Sequence, residues 1–384
     1  MREEKLERNS PRYLRGIHRT LTGFHPAIES VLAAIIGLLI GAVVMWLWGY
    51  DPIAAYSTML KGAFADKWGL ADSGAIAAPL ILTALTFSIC LRAGMFNIGA
   101  EGQLIMAGLA VVSVGFFSLP PGLHHVVALL FAMVAGAIWS IGPALLKLTR
   151  GVHEVVSTIM FNWIAHFLAI YLIGTILMNP RSADQTIPVP STAIFSKLVK
   201  GTDLTYAVFV AIGFSLIIYF ILWHTTIGYE VRAAGLNPSA ARYGGIKNKR
   251  TILLSFILGG VSAGLAAAMI LLGSSSTHAM YRLHGQLTNV GFDGMAVAMV
   301  GRNHPIGILF SALFFGGLNA GGRLMQLGSS PVPVQMVRLV MGVIVFTMSI
   351  PELARIFPAI RRYSVKLVRD LRQLGSSAGR RQSR

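Results

Sequence analysis

The chain has 384 residues, 54% of them hydrophobic and 12% charged, with a mean hydropathy of +0.67 and a net charge of +17. A soluble domain carries about 25% charged residues, so the composition excludes an ordinary globular enzyme and indicates a polytopic membrane protein. The positive charge lies in segments that flank apolar runs, which fits membrane topology and anionic lipid rather than nucleic acid.

Residues 1–24 carry a net +3, with Tyr13, Leu14, Ile17 and Leu21 at helical spacing among arginines. This predicts a basic amphipathic segment in the inner headgroup layer. No small-residue cleavage site follows it, so the first span, near residues 27–48, is expected to be retained. Val31–Trp48, Val155–Met178 and Leu204–Trp223 contain no Asp, Glu, Lys or Arg. Each is long enough to cross a bilayer as a helix. They are continuously apolar rather than alternating, which argues against a barrel.

An outer loop containing Asp51, Lys61, Asp66, Lys67 and Asp72 is expected next. A second span, Ile76–Leu91, returns to Arg92. A third runs from Leu104 to Phe117 and meets the turn Leu119-Pro120-Pro121-Gly122. A fourth descends to Lys147 and Arg150, and a fifth rises from Val155 to Met178. The polar, proline-punctuated loop 179–203 is placed outside. A sixth span leads to the basic loop 225–250, net +4.

Thr251–Leu272 forms a seventh span. The region Gly273–Val300 is broken by polar residues and glycines, and its last part, Leu287–Val300, is a short eighth span ending at Arg302. Ile306–Gly322 and Val332–Ile350 complete ten spans. The tail, 351–384, has a net +7, with Leu353, Ile356, Phe357 and Ile360 at helical spacing. Ten spans place both termini and every strongly basic segment on the cytoplasmic face. The expected organisation is a basic segment at 1–24, a transmembrane domain at 25–350 and a basic tail at 351–384.

Catalytic chemistry finds little support. None of the nine lysines precedes Ser or Thr, so a Walker A loop is absent. His153-Glu154 starts a zinc-protease motif, but Ser157 stands where the second His is required. No Gly-x-Ser-x-Gly nucleophile elbow is expected. The lone Cys90 leaves neither a disulfide framework nor a cysteine metal site.

The informative residues are polar groups set deep in apolar pattern. Asn97, Glu101 and Gln103 open the third span, Asn162 sits in the fifth, Asp293 in the eighth and Arg338 in the tenth. A buried acid must be paired, protonated or hydrated. Glu101 therefore either caps a broken helix through backbone N–H groups or lines a solute path. Asn162 reads first as an interhelical hydrogen-bonding residue. Asp293 either meets solute or pairs with Arg338, which alternatively snorkels outward. The two breaks, Gly94–Gly102 and Gly285–Gly294, fall in oppositely oriented halves, the pattern of inverted repeats around a central site. Gly37/Gly41, Gly260/Gly264 and Gly317/Gly321 have the spacing of close helix packing.

The loop from Gly228 to Ile246 differs in kind. Glu230–Ala234 reads as a helical turn stopped by Gly235, and Asn237 caps a second short helix with Pro238 at its first position. A capped helix–turn–helix suits a socket for a soluble partner.

These residues resemble the type II ATP-binding-cassette importer permeases of the branched-chain amino acid, ribose and simple-sugar superfamily, over nearly all of residues 25–350. Met95-Phe96-Asn97-Ile98-Gly99-Ala100-Glu101-Gly102-Gln103 is similar to the nucleoside-permease subgroup. So are Gly151–Val156 through Asn162, Gly291-Phe292-Asp293-Gly294 and Gly301-Arg302-Asn303-His304-Pro305. The resemblance implies an all-α membrane bundle of about ten helices, with inverted repeats and a cytoplasmic coupling loop. Within it, Glu230, Arg232, Gly235, Asn237, Arg242 and Gly245 would serve ATPase coupling. Asn97, Glu101, Gln103, Asn162 and Asp293 would line the translocation path. The chain would hold no cofactor, since ATP acts through a separate ATPase subunit. A second, related permease chain and an extracytoplasmic substrate-binding protein would complete the assembly, in a bacterial inner membrane. Sugar or riboflavin import is the same-class alternative. A proton-coupled secondary transporter, with Glu101 or Asp293 titrating, is the different-class one. Arg338 is not expected from the family pattern.

Overall fold

A computed structural model describes residues 34–274, 277–326 and 332–349. The basic segment 1–24, the start of the first span and the tail 351–384 lie outside them. Helices dominate, in this order: α1 (Ala34–Leu47), α2 (Pro52–Phe64), α3 (Lys67–Arg92), α4 (Ala100–Ser113), α5 (Leu123–Arg150) and α6 (Glu154–Gly174). A two-stranded antiparallel hairpin follows, β1 (Met178–Asn179) and β2 (Ser182–Thr186). Then come α7 (Ala207–His224), α8 (Thr226–Leu236), α9 (Pro238–Tyr243), α10 (Asn248–Met269), α11 (Val290–Val300), α12 (Pro305–Met325) and α13 (Val334–Ser349). Six of these, α3, α5, α6, α7, α10 with its extension, and α12, are long and apolar enough to cross a membrane; α1, α4, α11 and α13 contribute shorter apolar helices.

The main departures from expectation lie in the supposed outer loop. Asp51 caps α2 by accepting from the Ile53 and Ala54 amides, with Pro52 at the first helical position. Asp66 then accepts from Gly69 N at 2.6 Å and starts α3 at Lys67, nine residues before the expected Ile76. The charged residues that read as loop are thus caps and helix surface. The 179–203 loop holds the hairpin, which braces a later segment: Thr186 N donates to Met280 O at 3.0 Å and Arg282 N to Asp184 O at 2.7 Å. At its far end α10 continues as a π-helical turn, Ile270–Ser274.

Residues 45–337 form one compact unit, and residues 34–44 with 338–349 belong to a second. In the larger unit α3 and α10 are buried along most of their length, while α5, α6 and α7 expose apolar residues such as Ile138, Phe167 and Phe220 to the surroundings. That distribution suits a bundle solvated by lipid. Small residues allow the central contacts. A Cβ on Gly260 would collide with Gly136 O, and one on Gly264 with Ala132 O, so α10 lies on α5 backbone to backbone. Gly321 meets Met59 O and Gly317 the Phe64 ring, which seats α12 on α2. Hydroxyls add cross-links between α3 and α10. Ser262 Oγ donates to Leu82 O at 2.7 Å, and Thr86 Oγ1 to Gly259 O at 2.9 Å. Each contributes about 0.6 kcal/mol by analogy with measured intramembrane pairs. Gly260-Val261-Ser262-Ala263-Gly264 does spell the hydrolase elbow string, but it lies in mid-helix and its serine is committed to α3. In the smaller unit, a Cβ on Gly37 would fall 2.7 Å from Ile344 Cα, an equally close approach.

Candidate functional site

The first break begins where α3 ends. The Gly94 amide folds back onto Leu91 O and the Met95 amide onto Cys90 O, and Gly94 adopts a φ of +75°. Asn97 is buried and makes a tight local turn: its Oδ1 accepts from Gly99 N at 2.9 Å and its Nδ2 lies 3.5 Å from Cys90 Sγ. Gly99 heads α4 without a side-chain cap of its own. The missing cap comes from α6. Asn162 Oδ1 accepts from Gly102 N at 2.8 Å, while its Nδ2 donates to Ile98 O at 2.9 Å. One amide side chain thus satisfies one donor and one acceptor that the break leaves open. Gly102 has no room for a side chain: a Cβ would sit 2.9 Å from both Asn162 Cα and Oδ1.

The second break is closed by the first. Asn289 stands before α11 in the left-handed region, φ +69°, and supplies no cap of its own. Glu101 supplies it. Its Oε1 accepts from Asn289 N at 2.5 Å and its Oε2 from Gly291 N at 3.0 Å. A carboxylate across two free N–H groups at a helix start is favoured by charge-assisted bonding and by the helix dipole. Gly291 is required by the approach, since a Cβ would lie 2.7 Å from Glu101 N. Further back, His284 is buried at φ +38°, and its Nε2 lies 2.7 Å from His166 Nδ1 on α6.

The remaining path residues are placed as follows. Gln103 is 1% exposed, and its Oε1 finds no hydrogen-bond partner among the described residues. Asp293 is half-buried in the first turn of α11, with its amide on Asn289 O at 2.8 Å. Arg338 is exposed on α13. His153, read from sequence as half of a failed zinc motif, caps α6 through Nδ1 and Val155 N, and Glu154 pairs with Lys147 at 2.8 Å.

The basic loop folds as two capped helices. Thr225 caps α8 and Asn237 caps α9, accepting from Ser239 N at 3.1 Å and Ala240 N at 3.0 Å. Leu236 and Tyr243 project almost fully, at 89% and 96% exposure, beside exposed Asn237, Arg242 and Gly245. Glu230 and Arg232 are only half-exposed. Gly235 does not stop its helix, which runs on to Leu236. The position is glycine for another reason: a Cβ there would strike Arg92 O and lie 2.9 Å from Gly94 N. The loop therefore touches the first break directly.

Sequence reasoning missed one cluster at this junction. Arg92 and Arg232 approach the Trp223 ring, at 5.2 and 5.6 Å from its centroid, and the His304 ring lies 4.5 Å from Trp223. Arg92 had a sequence signal, but as a topology marker only. His304 stands immediately before α12 without a side-chain capping bond; burial and the nearby Arg92 guanidinium lower its pKa, which keeps it neutral near pH 7.

Comparison with known proteins gives a consistent assignment. Residues 70–349 match the family described as branched-chain amino acid transport system / permease component. The guanosine ABC transporter permease protein NupP of Bacillus subtilis (strain 168) is 35% identical over 83% of this chain and 91% of its own length. The nucleoside ABC transporter permease protein NupB of Lactococcus lactis subsp. cremoris (strain MG1363) is 32% identical over 84% of this chain and 90% of its own. The guanosine ABC transporter permease protein NupQ, also of Bacillus subtilis (strain 168), is 31% identical over 62% of this chain and 77% of its own.

Proposed function

This chain belongs to the branched-chain amino acid transport system permease family and is the multi-pass membrane permease of an ATP-binding-cassette importer; from that premise we propose that it carries nucleosides across a bacterial inner membrane. The observation that carries the substrate reading is the similarity, over more than four-fifths of the chain, to two permeases named for guanosine and nucleosides. The six long and four shorter apolar helices support a ten-span bundle. The contact between two breaks in opposite halves supports a central site between inverted repeats. Both termini would then be cytoplasmic. The similarity to NupP and NupQ, two permeases from one bacterium, supports pairing with a second, related chain.

In this reading the exposed Leu236, Tyr243, Asn237, Arg242 and Gly245 dock into a separate ATPase subunit. ATP acts only there, and this chain holds no cofactor. An extracytoplasmic binding protein delivers the solute. ATP-driven closure of the ATPase pair switches the bundle between outward- and inward-open states. Gln103, with its open amide oxygen, is the path residue best prepared to meet a ribose hydroxyl or base N–H. A proton-coupled carrier is disfavoured by the match to the permease family and by the similarity to permeases of ATP-binding-cassette transporters.

The test is uptake of labelled guanosine by cells expressing the chain with its ATPase and second permease. Competition by purine nucleosides, but not by ribose, glucose or riboflavin, is expected. Competition by a sugar or by riboflavin alone would replace the substrate. Uptake abolished by an uncoupler, yet insensitive to inactivation of the ATPase, would replace the class.

A further inference from the structure

The short helix α11 is gripped at both ends by one stretch of chain. At its N-terminus stands Glu101, bonded to Asn289 and Gly291. At its C-terminus the chain turns through Arg302 and Asn303, both in the left-handed region at φ +54° and +52°. Arg92 reaches into that turn. Its Nε donates to Asn303 O at 3.0 Å and its Nη2 to Arg302 O at 3.2 Å. Anion at the amino end and cation at the carboxyl end both complement the helix dipole. Arg92 is the last residue of α3 and Glu101 lies in the first turn of α4, a stretch of ten residues counted inclusively that spans most of the first break, and α11, with 11 residues, is about 16 Å long.

The same stretch bears on the coupling loop. Gly235 lies against Arg92 O and the Gly94 backbone with no side chain between them. Arg232, one turn earlier on α8, approaches the indole that Arg92 also approaches. Displacing α8 thus moves the segment that holds α11.

We infer that residues Arg92 to Glu101 form a two-ended clamp on α11, and that Arg92 is the positioning residue through which movement of the α8–α9 loop reaches it. The inference rests on the importer reading above and adds the internal transmission element. Its test compares Arg92→Met, Arg92→Lys and Trp223→Phe in the full transporter reconstituted in liposomes. Assembly and basal ATP hydrolysis should stay within about twofold, while solute moved per ATP falls at least tenfold for Arg92→Met and less for the other two. Hydrogen exchange of the Arg302–His304 amides in the same samples should accelerate at least tenfold for Arg92→Met. It should leave the Asn289 and Gly291 amides unchanged, a readout that does not depend on transport. Unchanged solute per ATP in both Arg92→Met and Trp223→Phe would overturn the transmission role. Unchanged exchange at Arg302–His304 would overturn the clamp. Absence of ATP-dependent uptake by the unsubstituted transporter would instead reject the importer reading and leave the exchange result standing.

Discussion

The two interruptions of the apolar pattern are held by different chemistry. Residues 94–102 are closed by neutral amides, Asn97 within the turn and Asn162 from α6. Residues 285–294 are closed by a carboxylate from the first break and by a histidine pair. An amide offers one donor and one acceptor and suits a turn that exposes one of each. A carboxylate only accepts, and suits a helix start, where only N–H groups are free. The first break can therefore stand within its own half of the chain, whereas the second depends on the first.

That asymmetry orders the expected effects. Glu101→Gln should be the most damaging. It removes the charge and aims amide hydrogens at an N–H, at a cost of about 2–4 kcal/mol. Thermal unfolding in detergent and uptake should both show it, and a wild-type transport rate would mean that the second break closes without a charge. Asn162→Asp comes next. It keeps the acceptor for Gly102 but loses the donor to Ile98 O, at about 1–3 kcal/mol. Faster hydrogen exchange at Gly99, in the turn that the Ile98 carbonyl no longer anchors, with Asn289 and Gly291 unaffected, would confirm that the amide closure is local. Gly235→Ala should cost about 1–3 kcal/mol by pressing on Arg92 and Gly94, and should lower uptake per ATP while the complex still assembles. Gln103→Leu should change stability least, within about 0.5 kcal/mol, because its amide oxygen has no partner among the described residues. A raised KM for uptake would place it on the solute path, and an unchanged KM would remove it.

Much of the architecture could be read from composition and punctuation. The breaks, the cap of α9 and the glycine contacts of α10 and α12 follow from local rules about orphan N–H groups and small residues. The helix α2 could not be read, because Asp51, Lys61 and Asp66 look like loop charges until they are seen as caps and helix surface. Glu101 left two readings open. Its partners lie 188 and 190 residues along the chain, and no local pattern announces a cap supplied from that distance. Arg92 was legible only as a cation at a membrane boundary. Its grip on two carbonyls needs the left-handed turn at Arg302 and Asn303, which the sequence does not mark with glycine.

Cys90 gives this structure a practical consequence. It is the chain's single cysteine, fully buried beneath the first break, with its sulfur against Asn97 and within 3.4 Å of Ser255 O. A maleimide can reach it only while the Asn97 turn has let go. The unmodified protein therefore carries its own chemical clock: the labelling rate counts how often the first break opens, with no engineered probe.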